Sequence, residues 1–241
     1  MAGNVPGASK KGVIILYSVV AVIVVALIGG ALWAAKSSKP DTGGSGSGAA
    51  PASAVGTAIP VGSGPVTVDV YEDFQCPACG QAEKAIGEQL AQRAADGKVT
   101  LNYHMMSFLG PESARAANAS FCAADAGKFA EMHAALYAEQ PPENTGGYTQ
   151  DDLLATGARL GLPASYDECV KAGTYAGFAD RVTSESMAAG VKSTPTYVVA
   201  GKPVTGTTSW QQILDAVDAA AAASPAAASP APASVPATPA G

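Results

Sequence analysis

Charge is scarce in this 241-residue chain: 14% of its residues are charged, with 14 basic against 20 acidic side chains. Four of the lysines, Lys10, Lys11, Lys36 and Lys39, sit near the N-terminus, so from residue 42 onward 10 basic residues face 19 acidic ones. That balance of −9 disfavours a nucleic-acid partner. Aromatic residues are few, at 6%, and the chain has two histidines and four cysteines. With a single Cys-x-x-Cys and no paired histidines, a zinc site lacks two of its ligands, and no metal is expected. Glycine (27) and proline (17) cluster at the two ends, so the packed part must be shorter than the chain.

The one long apolar run, Val13 to Ala35, has 23 positions without a charge. At 1.5 Å per helical residue it covers the roughly 30 Å of a bilayer's hydrocarbon. It reads as a transmembrane anchor over 13–35, behind a short cytoplasmic N-terminus over 1–12. A cleavable signal would have a shorter core, and the Gly29/Ala31 pairing is a weak cleavage site. The positive charges lean only slightly towards N-terminus inside. Residues 36–58, rich in Gly, Ser and Ala, read as a flexible tether reaching about 25 Å. Residues 222–241 read as a disordered Ala/Pro/Ser tail. One domain of ordinary size, 59–221, remains.

Within it, Val66 to Tyr71 alternates as a strand and runs into Phe74-Gln75-Cys76-Pro77-Ala78-Cys79. A helix is expected over 78–95, closed by Gly97, and a second strand over 99–107. From about 111 to 190 the patterns are helical: 112–125, 128–139, 149–160 with a capping box from Thr149 to Asp152, and 164–189 broken at Gly173 and Gly177. Short strands return at 196–200 and around 203–204, before a last helix from near Ser209. Strands flanking an all-helical middle make this an α/β domain with a helical insertion.

Cys76 falls at a helix N-terminus and Cys79 one turn in. The free backbone N–H groups and the positive end of the helix dipole stabilise a thiolate at Cys76, making it the better nucleophile and leaving group. Pro77 suits the first turn, where its missing N–H costs nothing. The pattern reads as redox chemistry, with half a zinc site or an inert disulfide as the alternatives. Thr194-Pro195 precedes the strand at 196–200, where a proline can be cis in a loop beside the cysteines.

These segments together, YEDFQCPAC, LNYHMMSFLG, the helical middle and STPTYVVAGKPVTG, resemble the DsbA-like thiol:disulfide oxidoreductases of the thioredoxin superfamily, over about residues 60–220. The resemblance implies a thioredoxin fold with an inserted all-helical subdomain, a reactive Cys76, a resolving Cys79, and a cis Pro195 whose loop with Thr194 binds substrate backbone. Phe74, Pro77 and Ala78 would support that site. It implies an extracytoplasmic, membrane-tethered enzyme without a cofactor. Its partners would be exported proteins with cysteines and a quinone-linked membrane reoxidase of the DsbB or VKOR type, and a monomer is expected.

Two departures stand out. The buried acid that many relatives carry six residues before the first cysteine is here Val70. Glu72 lies on the same strand face and is the possible substitute, while the simpler reading makes Glu72 and Asp73 solvated loop acids. The dipeptide between the cysteines is Pro-Ala, without a histidine, so Cys76 should depend mainly on the helix terminus and have a less extreme potential. Cys122 and Cys169, on different predicted helices, are most simply a structural disulfide in an oxidising compartment, and the resemblance agrees. The competing reading is an electron-shuttling pair, although nothing electropositive surrounds either in sequence. His104 and His133 read as packing or surface residues. Met105 and Met106 read as core or groove lining.

Overall fold

The computed structural model describes residues 48–206 and 209–224. The expected anchor, most of the tether and nearly all of the tail lie outside the described residues. Among the described helices none is long and apolar enough to cross a membrane.

Among the described residues, β1 Ile59–Gly62, β2 Val66–Glu72, β3 Val99–Met105, β4 Thr196–Val199 and β5 Lys202–Pro203 form one mixed sheet in the order β1-β3-β2-β4-β5. The central strand β2, Val66–Glu72, alternates as its sequence requires, with Val66, Val68, Val70 and Glu72 pointing into the core. It pairs in parallel with β3, Val99–Met105, from Val66 opposite Val99 to Glu72 opposite Met105. A parallel pair needs a crossover. Helix α1, Pro77–Ala82, supplies it by running through a π-helical segment, Glu83–Gly87, into α2, Glu88–Ala95. On the other side β2 pairs antiparallel with β4, Thr196–Val199, which pairs with the two-residue β5, Lys202–Pro203.

Five helices lie between β3 and β4: α3 Pro111–Asp125, α4 Phe129–Ala138, α5 Gln150–Arg159, α6 Ala164–Ala172 and α7 Ala176–Ala188. The expected capping box closes α5, with Asp152 N–H donating to Thr149 Oγ1 at 3.2 Å and Thr149 N–H to Asp152 Oδ2 at 3.0 Å. Cys122 on α3 and Cys169 on α6 are bridged, their Cα atoms 5.8 Å apart. The last helix, α8 Gln211–Ala223, packs against β2 and β4.

Several expectations need correction. Gly177 lies inside α7; the break falls at Gly173 alone, whose φ of +60° ends α6 in the left-handed region that glycine tolerates. The strand β1, Ile59–Gly62, carries no alternation long enough to mark it in the sequence. It is four residues long and carries Pro60, which an edge strand accepts because one side of it has no neighbour to bond. The tether is shorter than 36–58, since its last residues pack on the domain. Ala50 and Ala54 lie against the core and Ala58 is buried. Ala52 N–H donates to Asp125 Oδ1 at 3.0 Å, and Arg181 Nη1 donates to the Gly48 carbonyl.

Candidate active site

The chain leaves β2 through a turn pinned by Asp73. Its carboxylate accepts from Gln75 N–H at 2.9 Å, Leu109 N–H at 3.2 Å and Ser113 Oγ at 2.5 Å, and its carbonyl accepts from Cys76 N–H at 2.9 Å. A buried carboxylate so surrounded is a scaffold for the turn. Phe74 is fully buried among Tyr137, Tyr148 and His133. Gln140 Nε2 donates to the carbonyls of Phe74 and Cys76 at 2.7 and 2.9 Å. That amide lies over Gly80, where a Cβ would meet Gln140 Oε1 at 2.1 Å. Side chains from α4 and its following loop therefore fix the start of α1.

Cys76 takes the N-cap position of α1 with extended backbone, and Pro77 opens the first turn. Both sulfurs are free thiols; Cys76 is 7% exposed and Cys79 fully buried. The Thr194-Pro195 peptide bond is cis, and it brings the Thr194 carbonyl within 3.3 Å of Cys76 Sγ across 118 residues of sequence. Cys76 is held down to about 5, first by the Cys79 thiol, then by the Thr194 side chain and the N–H groups of Cys79 and Ala78, against the opposing effect of burial. The Cys79 thiol is pushed strongly up, by burial first, then by its bond to Cys76 and the nearby charges of Glu72 and Cys76. The N–H groups of the helix terminus act in the expected direction, beside the partner thiol. The result is one reactive and one guarded sulfur.

Behind the dithiol, the solvated-acid reading of Glu72 and Asp73 fails. Both are fully buried, because β2 runs one residue further than expected and Glu72 is its last inward position. Glu72 rises to about 8, chiefly through burial and then through the charge of Cys76, with the Tyr137 hydroxyl pulling the other way. Its Oε2 lies 2.8 Å from His133 Nε2, while Oε1 is buried without a partner. His133 Nδ1 in turn lies 3.9 Å from Glu83 Oε2. Burial also lifts Glu83, to about 7, with Glu72 adding to the rise and His133 opposing it.

His133 was assigned to packing or surface by sequence, and it is buried in the site; Glu83 was not singled out at all. A histidine on α4 and an acid seven residues past Cys76 are joined only by the tertiary fold, and no local pattern marks them. Among the described residues Glu72, Glu83 and His133 have donor atoms within 4.8 Å of one another. The imidazole presents Nε2 to Glu72 at 2.8 Å and turns Nδ1 towards Glu83 at 3.9 Å. His104 is buried elsewhere, between Thr57 and Asp69 and stacked on Tyr71. Met105 and Met106 are core residues.

The sequence matches the family described as Thioredoxin over residues 57–219. Among curated proteins it is similar to the serine/threonine-protein kinase PknE of Mycobacterium tuberculosis, 30% identical over 127 residues, 48% of this chain but 22% of that protein. The chain therefore spans about a fifth of the length of that relative. Among solved structures it is similar to the reduced disulfide bond oxidoreductase DsbG of M. tuberculosis, at 27% identity and a TM-score of 0.60, covering 71% of this chain and 95% of that one. It is also similar to oxidised DsbA of M. tuberculosis, at 28% identity and a TM-score of 0.58, covering 68% and 98%. Family match, sheet topology, dithiol and cis-proline loop agree, and the chain belongs to the thioredoxin family as one of its DsbA-like thiol:disulfide oxidoreductases.

Proposed function

We propose that the protein is a membrane-tethered, extracytoplasmic disulfide donor to exported proteins. The observation that carries this reading is the asymmetry of the dithiol, with Cys76 stabilised as a thiolate and Cys79 guarded as a thiol. A substrate thiolate attacks Cys76 Sγ in the Cys76–Cys79 disulfide, and Cys79 leaves with the electron pair. A second substrate thiolate then attacks the substrate sulfur of the mixed disulfide and expels Cys76, so the substrate is oxidised and the protein reduced by two electrons. A stabilised Cys76 thiolate makes that reduced product favourable, which is what makes the disulfide oxidising. The Thr194-Pro195 loop beside Cys76 supplies the backbone against which a substrate strand would lie, in an extended pairing.

Reoxidation needs an electron acceptor, and the reading assigns that part to a quinone-linked membrane enzyme of the DsbB or VKOR type. The apolar run at 13–35 supports the tether. The reverse direction, a reductase or isomerase fed with electrons, gains one supporting observation. Glu72 supplies the buried carboxylate that Val70 lacks, so the absence of an acid no longer argues against reduction. The low Cys76 pKa still favours oxidation. A copper-binding role finds no support in a two-residue spacing without an adjacent histidine.

The test uses the full chain with a reduced, cysteine-containing client. Cys76→Ser should abolish disulfide formation while the fold, read by circular dichroism, is retained. Cys79→Ser, given a client that carries a disulfide, should accumulate a Cys76–client mixed disulfide, because Cys76 expels one client thiolate and no second thiol resolves the product. An active Cys76→Ser variant would sink the assignment.

A further inference from the structure

The reaction cycle leaves one step without a route. In the reductive half, breaking the Cys76–Cys79 bond leaves a thiolate on Cys79, which is fully buried. In the oxidative half the same sulfur must become a nucleophile again and lose its proton. One proton per half-cycle has to cross between Cys79 and water. Glu72 is the last, inward residue of β2, fully buried, and the Asp73 turn that follows it leads directly into Cys76, whose N–H donates to the Asp73 carbonyl at 2.9 Å. Its own carboxyl is 0% exposed, so it cannot exchange that proton with solvent directly.

We propose that His133 is a two-ended proton bridge, linking Glu72 behind Cys79 to Glu83 at the wall of a surface cavity, and so carrying this proton to and from water. The inference rests on the oxidoreductase reading above and adds to it the route and two positioning residues, His133 and Glu83. The geometry is directional. Nε2 meets Glu72 Oε2 at 2.8 Å, and Nδ1 faces Glu83 Oε2 at 3.9 Å, a gap that a side-chain adjustment of about an ångström closes to hydrogen-bond distance. Exposure rises along the line, from 0% at Glu72 to 4% at His133 and 12% at Glu83. Glu83 and His133 line a cavity of about 660 Å³ together with Tyr103, Tyr137, Lys84 and Glu88. Glu83 also opens the π-helical segment, a distortion that recurs at functional positions in helices. Both carboxyls keep one buried oxygen, Oε1, without a partner, so neither group is locked as a structural acceptor in the way Asp73 is.

The protons balance. When a substrate thiolate displaces Cys79, the Glu72 carboxyl protonates the leaving sulfur. His133 gives its Nε2 proton to Glu72 and takes one at Nδ1 from Glu83, which is refilled from water in the cavity. One proton has entered and the imidazole has changed tautomer, remaining neutral at both ends of the step. In reoxidation, Cys76 attacks a disulfide electron acceptor, and Cys79 returns its proton to Glu72 as it attacks Cys76 Sγ and expels the acceptor thiolate. The chain of transfers runs backwards and restores the first tautomer. Burial keeps His133 neutral by lowering its basicity, against the pull of Glu83. The ionisable groups facing it are Glu72 from β2, Glu83 from the π segment, Tyr103 from β3 and Tyr137 from its own helix. Tyr197 from β4 interacts with both glutamates, and Lys84 and Glu88 stand at the cavity.

The experiment is single-turnover oxidation of the reduced full chain by glutathione disulfide, and reduction of the oxidised chain by dithiothreitol, from pH 5.5 to 9. His133→Gln, close in size to histidine but unable to relay, should slow both about tenfold to hundredfold. The pH dependence seen in wild type should flatten, and the equilibrium constant with glutathione should stay close to wild type. Imidazole added to His133→Ala, which enlarges the cavity, should restore much of the rate. Should His133→Gln not fold, Glu83→Gln must show the same flattened profile. Wild-type rates and profile in these variants would overturn the bridge. So would a uniform slowing that imidazole leaves untouched, the mark of a packing role. Absence of Cys76-dependent exchange in the wild type itself would instead defeat the oxidoreductase reading on which the bridge rests.

Discussion

The two cysteine pairs of this protein are made of the same atoms and behave in opposite ways. Cys122 and Cys169 join α3 to α6 across 47 residues, in a helical layer where they bring distant chain segments together. Cys76 and Cys79 lie one turn apart at the start of α1, unbridged, under the Thr194 carbonyl and above a buried acid. The first pair restrains the chain; the second stores and releases two electrons. What separates them is the environment, since a helix terminus and a partner thiol stabilise one thiolate while burial suppresses the other.

That contrast can be broken at either pair. Replacing Cys122 and Cys169 together by Ala removes a closed loop worth about 4 kcal/mol in the chain-entropy picture, and should cost stability of that order. The thiol-exchange rate of the folded variant should be unchanged. Thermal unfolding beside a client-oxidation assay reads both, and a large loss of rate at a temperature where the variant is folded would show that the two pairs are coupled.

At the other pair the prediction concerns pH. Reduced Cys76 should titrate near pH 5, read by thiolate absorbance or alkylation rate, while Cys79 stays unreactive at neutral pH. Because Cys76 is lowered from an ordinary value of 9.0, its contribution to the stability of the reduced protein is present at high pH and lost as pH falls from 9 through about 5. Glu72, raised from 4.5 to about 8, works with the opposite sign: its contribution is present at low pH and lost as pH rises from 4.5 through about 8. The stability of the reduced wild type relative to Cys76→Ser should therefore climb with pH between about 5 and 9. A flat difference would mean that Cys76 is an ordinary thiol.

The smallest effect is expected far from the dithiol. Thr149→Ala removes the capping box of α5 and should cost about 1 kcal/mol without altering the Cys76 titration.

Sequence periodicity located β2, β3 and the helical insertion because their apolar positions recur at strand or helix spacing over many residues. Cys76, Cys79 and Pro195 were legible because their chemistry is written in adjacent residues. Glu72 was legible as the inward position that follows Val70, one of two readings, and the extension of β2 by one residue decides for it over the loop acid. His133 and Glu83 were out of reach, since nothing within α4 or the π segment announces that they meet. The strand β1 and the packed residues 48–58 were missed for a similar reason. Their Gly, Pro and Ala composition reads as linker, and only contact with β3 and α3 orders them.

As a disulfide donor, the role proposed above, the Cys76–Cys79 couple must give its disulfide away. Its reduction potential, measured for the full chain by equilibration with glutathione buffers, tests that directly. A value on the oxidising side of roughly −200 mV but short of the roughly −120 mV of the strongest oxidants is predicted, with a slope near 30 mV per pH unit above pH 5, because a single proton then accompanies the two electrons. A value near about −270 mV, or a slope of about 59 mV per unit through neutral pH, would contradict the account and make this a reductant.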